Sequence, residues 1–259
     1  MRSITNDYIR ERLSKGMRNS KRGPMSFRDI VLSTGTMPNA EGSAEARIGN
    51  TKVLAGIKID VAEPMRDTPE DGNLTTSAEL LPMASESYDI GPPTPEGVEF
   101  ARVVDRGIRA AEMIDTSKLF IEEGKVWSVY IDIYVLNFDG NLFDAGTLAA
   151  VGALATAKMP RFEDGKVIRD TGMKKMQIEN IVTSCTYAKV LDTLLLDPDG
   201  PEEQLTKARL TIANDENVIR AMQKGLGGSF STREIDSLID TTFDKSKELR
   251  GIIKKSSGD

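Results

Sequence analysis

Apolar and polar positions alternate at period two over two stretches of the first half of the chain. Ala44, Ala46 and Ile48 alternate, and so do Val53, Ala55, Ile57, Ile59 and Val61, with Gly49-Asn50 between the runs. That pattern predicts a β-hairpin over 42–62. A further strand is predicted at 74–83. The strongest alternation lies at 126–138, where Trp127, Val129, Ile131, Ile133 and Val135 share one face and Asp139-Gly140 ends the run. Shorter strands are predicted at 181–187, 189–196 and 206–213. Helical spacing appears at 94–114: Thr94-Pro95-Glu96 supplies a cap, a proline at the first position and an early acid, and Ala101, Val104, Ile108 and Ala111 form the stripe. A second helix is predicted over 145–159, capped by Asp144 and closed by Pro160. It is apolar nearly all round, which predicts a buried helix with close backbone approach to a sheet. A last helix spans 232–253, with Ser231 and Glu234 as a capping box. A short helix over 6–15, capped by Thr5 and stopped by Gly16, opens the chain.

Between these elements, 16–26 reads as a linker, 63–72 as an acidic surface loop, and 160–180 as a Gly- and charge-rich connector. The expected organisation is a helical arm (1–30), a first domain (31–160), a connector (161–180) and a second domain (181–259). The order of strands and helices implies an α+β fold with sheets packed on helices.

Composition narrows the chemistry. The 259 residues include no histidine and one cysteine, Cys185. Ser-His-Asp and Cys-His catalysis, imidazole zinc sites and intrachain disulfides are therefore excluded, and the cysteine usage fits a reducing cytosol. No signal-like start and no apolar run of membrane length is present, so a cytoplasmic protein with no membrane partner is expected. The net charge of −6 argues against a generic nucleic-acid binder. Residues 10–28 nonetheless carry Arg10, Arg12, Lys15, Arg18, Lys21, Arg22 and Arg28 against Glu11, leaving −12 on the rest. Such an arm can touch phosphate locally, but an amphipathic arm with a solvated charged face is the simpler expectation.

Three constellations could carry chemistry. Arg102, Arg106 and Arg109 fall at i, i+4 and i+7, within about one-sixth of the helical wheel and opposite the apolar stripe. They could track a phosphate backbone, yet spacing alone favours a solvated face on which Glu99, Asp105 and Glu112 neutralise them. The turn 139–144 precedes a helix, a natural anion site, but it has no glycine pair, hydroxyl or cation, and Asp144 sits where an anion would. Asp197, Asp199, Glu202 and Glu203, with Asp192 nearby, could hold magnesium or act as acid and base. Pro198, Gly200 and Pro201 make that segment a turn, where carboxylates are expected to be solvated, so no metal site is expected.

Several motifs in order carry a resemblance. Gly42-Ser43-Ala44 and 49–58, then Val103-Val104-Asp105-Arg106-Gly107-Ile108-Arg109, the run 127–136 leading to Asp139-Gly140, and Gly227-Gly228-Ser229-Phe230-Ser231 resemble the RNase PH superfamily over about residues 5–255. The compact length and the run Asp144-Ala145-Gly146-Thr147-Leu148-Ala149-Ala150 are most similar to the branch of non-catalytic ring subunits of the archaeal exosome.

The resemblance implies duplicated βαβα units with mixed sheets packed on helices. It implies a heterohexameric ring of three heterodimers with a catalytic RNase PH-like paralogue, RNA-binding cap subunits, and degradation of single-stranded RNA from the 3′ end with inorganic phosphate. Active members carry Asp-Gly-Gly-Ser/Thr-Arg after the central strand, whose Ser/Thr and Arg hold phosphate; here the last three positions are Asn141, Leu142 and Phe143. Active members also carry Glu-Asp and a second Asp six residues on; here these positions are Glu202-Glu203 and Arg209. No catalytic residue and no cofactor is therefore expected in this chain, and phosphate is expected in the paralogue's site. The same resemblance implies that Arg102 and Arg106 contact RNA in a central channel, while Arg109 is left as an ion-paired or interface residue. The alternative is an active phosphate-dependent exoribonuclease. A stand-alone RNA-binding module fits the acidic charge poorly.

Overall fold

Alternating burial along the longest strands sets the architecture. The computed structural model describes residues 2–170 and 172–258, with side chains from Asp7 onward. Strands β1 (Ile30–Thr34), β2 (Gly42–Ile48), β3 (Thr51–Ala62) and β4 (Asn73–Leu80) precede helix α2 (Pro95–Ala110), and helix α1 (Arg2–Ser14) precedes them all. Then come β5 (Phe120–Glu122), β6 (Lys125–Asn137) and helix α3 (Leu142–Ala155). Small strands β7 (Lys158–Met159), β8 (Arg161–Glu163), β9 (Lys166–Ile168) and β10 (Lys174–Lys175) occupy the connector. The second half holds β11 (Thr183–Val190), β12 (Thr193–Leu196), α4 (Gly200–Gln204), β13 (Ala208–Asn214), β14 (Ile219–Gly225) and α5 (Thr232–Ser257).

The first sheet has the order β1-β2-β3-β6-β4, with β5 also on β6, and is antiparallel except for the parallel pair β4/β6. The second, β12-β11-β13-β14, is antiparallel throughout, so only the first of the two main sheets is mixed. Val53, Ala55, Ile57 and Ile59 of β3 are buried on one face. Against that face lies α3, which also packs on β11 and is buried at every position. A helix mostly of Ala, Gly, Leu and Val is what two sheets can enclose, and its buried Asp144 is hydrogen-bonded to Ser184 and Thr186. Helix α2 packs on β4 and α3, and α5 packs on β11, β13 and β1. No helix among the described residues is long and apolar enough to cross a membrane.

The hairpin, the central strand and the α5 capping box appear as the sequence predicts. Four local expectations are corrected. Helix α1 begins at Arg2, so Thr5 lies within it, and Thr5's side chain is outside the described ones. The α3 cap is Asn141 in the left-handed region (φ 57), not Asp144, and the helix starts three residues early because an asparagine tolerates that conformation. Strand β11 continues to Val190, with Leu191 at positive φ making the turn. Strand β14 has no counterpart in the sequence pattern: its residues are only half-buried and show no apolar alternation.

Close packing of α2 on α3 depends on Gly146. A Cβ there would lie 2.3 and 2.4 Å from Cζ and Cε2 of the fully buried Phe100. Gly146→Ala should therefore destabilise the chain by about 1–3 kcal/mol despite alanine's better helix propensity, and Phe100→Leu in the same chain should recover part of the loss. Urea midpoints of the full chain check this; an unchanged midpoint for the single variant would contradict it.

Candidate functional site

Helix α2 is fixed at its start by Thr94, whose Oγ1 accepts from the Gly97 N–H at 3.2 Å, with Pro95 at the first position. Phe100, Val103, Val104, Gly107 and Ile108 face the core, which turns Arg102, Arg106 and Arg109 outward. The three arginines differ in their surroundings. Arg109 Nε pairs with Asp105 Oδ2 at 2.7 Å, and its Nη2 donates to the Leu74 carbonyl of β4. Arg106 Nη1 donates to Gln223 Oε1 of β14 at 2.7 Å, a neutral partner. Arg102 is exposed and makes no ion pair or hydrogen bond among the described residues. The acids expected to neutralise the ridge do not pair with Arg102 or Arg106. Glu99 Oε1 lies 2.7 Å from Arg209 Nη2, Asp105 also accepts from Thr76 Oγ1 at 2.9 Å, and Glu112 lies beyond the helix end at positive φ. All three arginines are solvent-exposed; neutralisation by a helical acid holds for Arg109 and is absent for Arg102 and Arg106 among the described residues.

Behind α2, the turn from β6 into α3 is filled by the chain itself. Asn141 is fully buried; its Nδ2 donates to Asp144 Oδ2 (2.9 Å) and Asp197 Oδ1 (2.7 Å), and its backbone N–H donates to Glu203 Oε1 (2.8 Å). Gly140 (φ +80) allows this turn to lie against 198–200, where a Cβ would come within 2.5 Å of the Pro198 carbonyl oxygen. Leu142 and Phe143 are buried. The Arg209 guanidinium carbon sits 4.2 Å over the Phe143 ring, and Phe143 meets Phe100 edge-on at 6.0 Å. Asp144 accepts from the hydroxyls of Ser184 and Thr186 and from the Thr186 N–H. Burial pushes Asp144 and Glu203 up to about 7, against the hydrogen bonds that favour their charged forms.

Part of the basic arm and the acidic turn meet here, which corrects the expectation of solvation for Arg18, Arg22, Arg28, Asp197 and Glu202, while Arg10, Lys15 and Lys21 stay exposed as expected. Arg18 forks onto Glu202 (Nε–Oε1 2.9 Å, Nη2–Oε2 2.5 Å), both side chains being only 1% exposed. Arg28 forks onto Asp197 (2.9 and 2.7 Å), and Arg22 Nη1 adds a third cationic contact to Asp197 at 2.8 Å. Arg28 also donates to the carbonyls of Asp139 and Gly140. Burial alone would raise the Asp197 carboxyl; the Arg28 hydrogen bonds and the charges of Arg28 and Arg22 outweigh it and hold it below the usual range. Asp199 caps α4 and, with Glu202, forms its capping box. The signal for this network is present as two opposite charge runs, but nothing local links residues about 180 apart.

Two family models match the chain: the first domain of the 3′ exoribonuclease family, RNase PH, over residues 26–160, and its second domain over 180–245. An exosome complex component Rrp42 from Thermococcus gammatolerans is 43% identical over 264 residues, covering 100% of this chain and 97% of the relative. Another from Thermoplasma acidophilum is 43% identical over 95% of this chain and 94% of the relative. Among solved structures, a chain of the Archaeoglobus fulgidus exosome with RNA bound to the active site superposes with a TM-score of 0.90 at 38% identity, covering 96% of this chain and 98% of that one. A chain of an archaeal exosome core gives 0.88 at 36% identity, covering 98% and 97%.

Removing the charge of Asp197 leaves Arg28 and Arg22 buried without their main counter-charge. Asp197→Asn should cost about 3–5 kcal/mol. Because the folded-state value is lowered, the stabilisation Asp197 provides is present above its unfolded value of about 4 and lost as pH falls through the lowered folded value. Denaturant midpoints of wild type and variant should converge on acidification below about pH 4. A variant as stable as wild type at pH 7 would contradict the role given to this pair.

Proposed function

The chain belongs to the RNase PH family of 3′ exoribonucleases, and we propose that it is a ring subunit without catalytic chemistry of its own, one that holds RNA for a catalytic paralogue. The observation that carries this reading is the Arg209 guanidinium stacked 4.2 Å over Phe143. Phosphorolysis requires a desolvated inorganic phosphate beside a cation and hydroxyl or N–H donors, with carboxylates near the scissile linkage. At the positions where the resemblance implies phosphate ligands, Leu142 and Phe143 are apolar and buried. At the implied second catalytic aspartate stands a cation. Glu203, at the first, spends an oxygen on the Asn141 N–H and is biased toward its neutral form by burial.

The retained function is electrostatic. Arg102 and Arg106 present guanidiniums that no acid among the described residues neutralises, as a sequence-independent grip on an RNA backbone requires. Net charge −6 is compatible with this, because contact is confined to one ridge rather than spread over the surface. The relatives' names and the RNA-bound relative support a ring complex acting on RNA. Three heterodimers with a catalytic paralogue, RNA-binding caps and a cytoplasmic location complete the proposal, with phosphate consumed in the paralogue's site.

Two outcomes are expected. The isolated chain should release no nucleoside diphosphates from RNA in the presence of phosphate, and a ring whose paralogue has lost its own carboxylates should release none either; release in either case would establish the active-enzyme alternative. Arg102→Glu with Arg106→Glu should leave assembly intact by sizing, weaken RNA binding by the ring, and flatten its log–log salt dependence by roughly 0.7 for each phosphate no longer neutralised. Unchanged affinity and slope would remove the ridge from the RNA path.

A further inference from the structure

On a helix, Arg102 has two acids within reach of its face, Glu99 at i−3 and Asp105 at i+3. Either could neutralise it. Asp105 is taken by Arg109 and Thr76 from the same sheet-facing side. Glu99 is taken by Arg209, which comes from β13 of the second sheet, 110 residues away. Arg106 has no acid at i±3 or i±4. Whether the Arg102 guanidinium is left without a counter-charge thus depends on where Glu99 points, and Glu99 points to Arg209.

Arg209 is fixed for this purpose from three sides. Its guanidinium lies on the Phe143 face, its Nη2 meets Glu99, and its side chain is only 16% exposed. Its Nε is buried with no hydrogen-bond partner among the described residues. The nearby carboxylate of Glu203 accepts from the Asn141 N–H, leaving Glu99 as the acid that Arg209 pairs with directly. A cation–π contact and one partly buried ion pair are the kind of desolvated setting in which arginine holds a carboxylate better than an exposed helical neighbour does.

We propose that Arg209 is a positioning residue for RNA binding: by holding Glu99 against the second sheet it withholds that carboxylate from Arg102 and leaves the Arg102 guanidinium unpaired for RNA. Filling the position of the implied catalytic aspartate and exposing the binding ridge are then one event in this chain. The proposal rests on Arg102 being an RNA contact, which the double-glutamate variant above tests separately.

The test is a two-residue cycle on the assembled ring, using a single-stranded oligoribonucleotide across a salt series. Arg209→Met frees Glu99 to swing onto Arg102. RNA affinity at low salt should fall roughly three- to tenfold, with the slope flattened as for about one fewer neutralised phosphate. Arg209→Met combined with Glu99→Gln should restore wild-type affinity and slope, since no carboxylate remains to capture Arg102. Arg209→Lys, which keeps the charge but not the stacked guanidinium, should fall between wild type and Arg209→Met. A purely structural role for Arg209 would leave the double variant at least as impaired as the single one. The proposal is overturned if Arg209→Met leaves affinity and slope unchanged, if Glu99→Gln fails to rescue it, or if neither Arg209→Met nor Arg209→Gln assembles, which would make Arg209 a requirement of the fold instead. Should the double-glutamate variant reduce binding while this cycle shows no coupling, the RNA-contact reading survives and the role of Arg209 does not.

Discussion

Two carboxylates almost without access to water, Asp197 and Glu202, are held by the guanidiniums of Arg18, Arg22 and Arg28. Charges of either sign buried alone at these positions would be prohibitively costly; paired and forked, with carbonyls taking the remaining donors, they are tolerated. The network ties together three segments that no continuous secondary structure joins. Arg18 and Arg22 come from the segment after α1, Arg28 leads into β1, Asp197 belongs to the turn before α4, and Glu202 to the first turn of α4. Arg28 also reaches the Asp139 and Gly140 carbonyls, and Asp197 accepts from Asn141. The start of α3 is set by that contact, and with it the places of Phe143 and, through Phe100, of the arginine-bearing helix. Such pairs contribute less to stability than an apolar core of the same volume. Here they connect the arm, the turn and the helix start through direct contacts.

On the proposed reading, the absence of chemistry and the contact with RNA are two aspects of one geometry. The pocket behind α2 is filled by a phenyl ring, a guanidinium and a buried asparagine, all satisfied or stacked within the chain. The ridge in front of α2 keeps two arginines without an acidic partner among the described residues: Arg102, whose helical acids pair with Arg209 and Arg109, and Arg106, which has none at i±3 or i±4. A surface of net negative charge can still hold a polyanion at one ridge, because screening over about 10 Å makes the local field the one that matters.

How much of this is legible in the sequence varies with distance along the chain. The 42–62 hairpin, the Thr94 cap and the Ser231/Glu234 box are encoded within a few residues, and they appear as read. The replaced positions 141–143 and 209 are legible from the resemblance. The Asn141 cap is not, because a left-handed asparagine at a strand-to-helix turn has no local signature distinct from the aspartate three residues later. The arm and the acidic turn each read as solvated, since a charge run looks the same whether water or a distant partner neutralises it. The engagement of Glu99 by Arg209 belongs to the same class: i,i+3 spacing names the wrong partner, and only the packing of α2 on the second sheet supplies the right one.

A structure of the assembled ring with a single-stranded oligoribonucleotide tests the central claim most directly. The predicted result places backbone phosphates within hydrogen-bond distance of Arg102 and Arg106, with the RNA 3′ end in the paralogue and neither nucleotide nor phosphate at Phe143 and Arg209. An RNA 3′ end or an inorganic phosphate seated between Phe143 and Glu203 of this chain, with the α2 ridge bare, would contradict it.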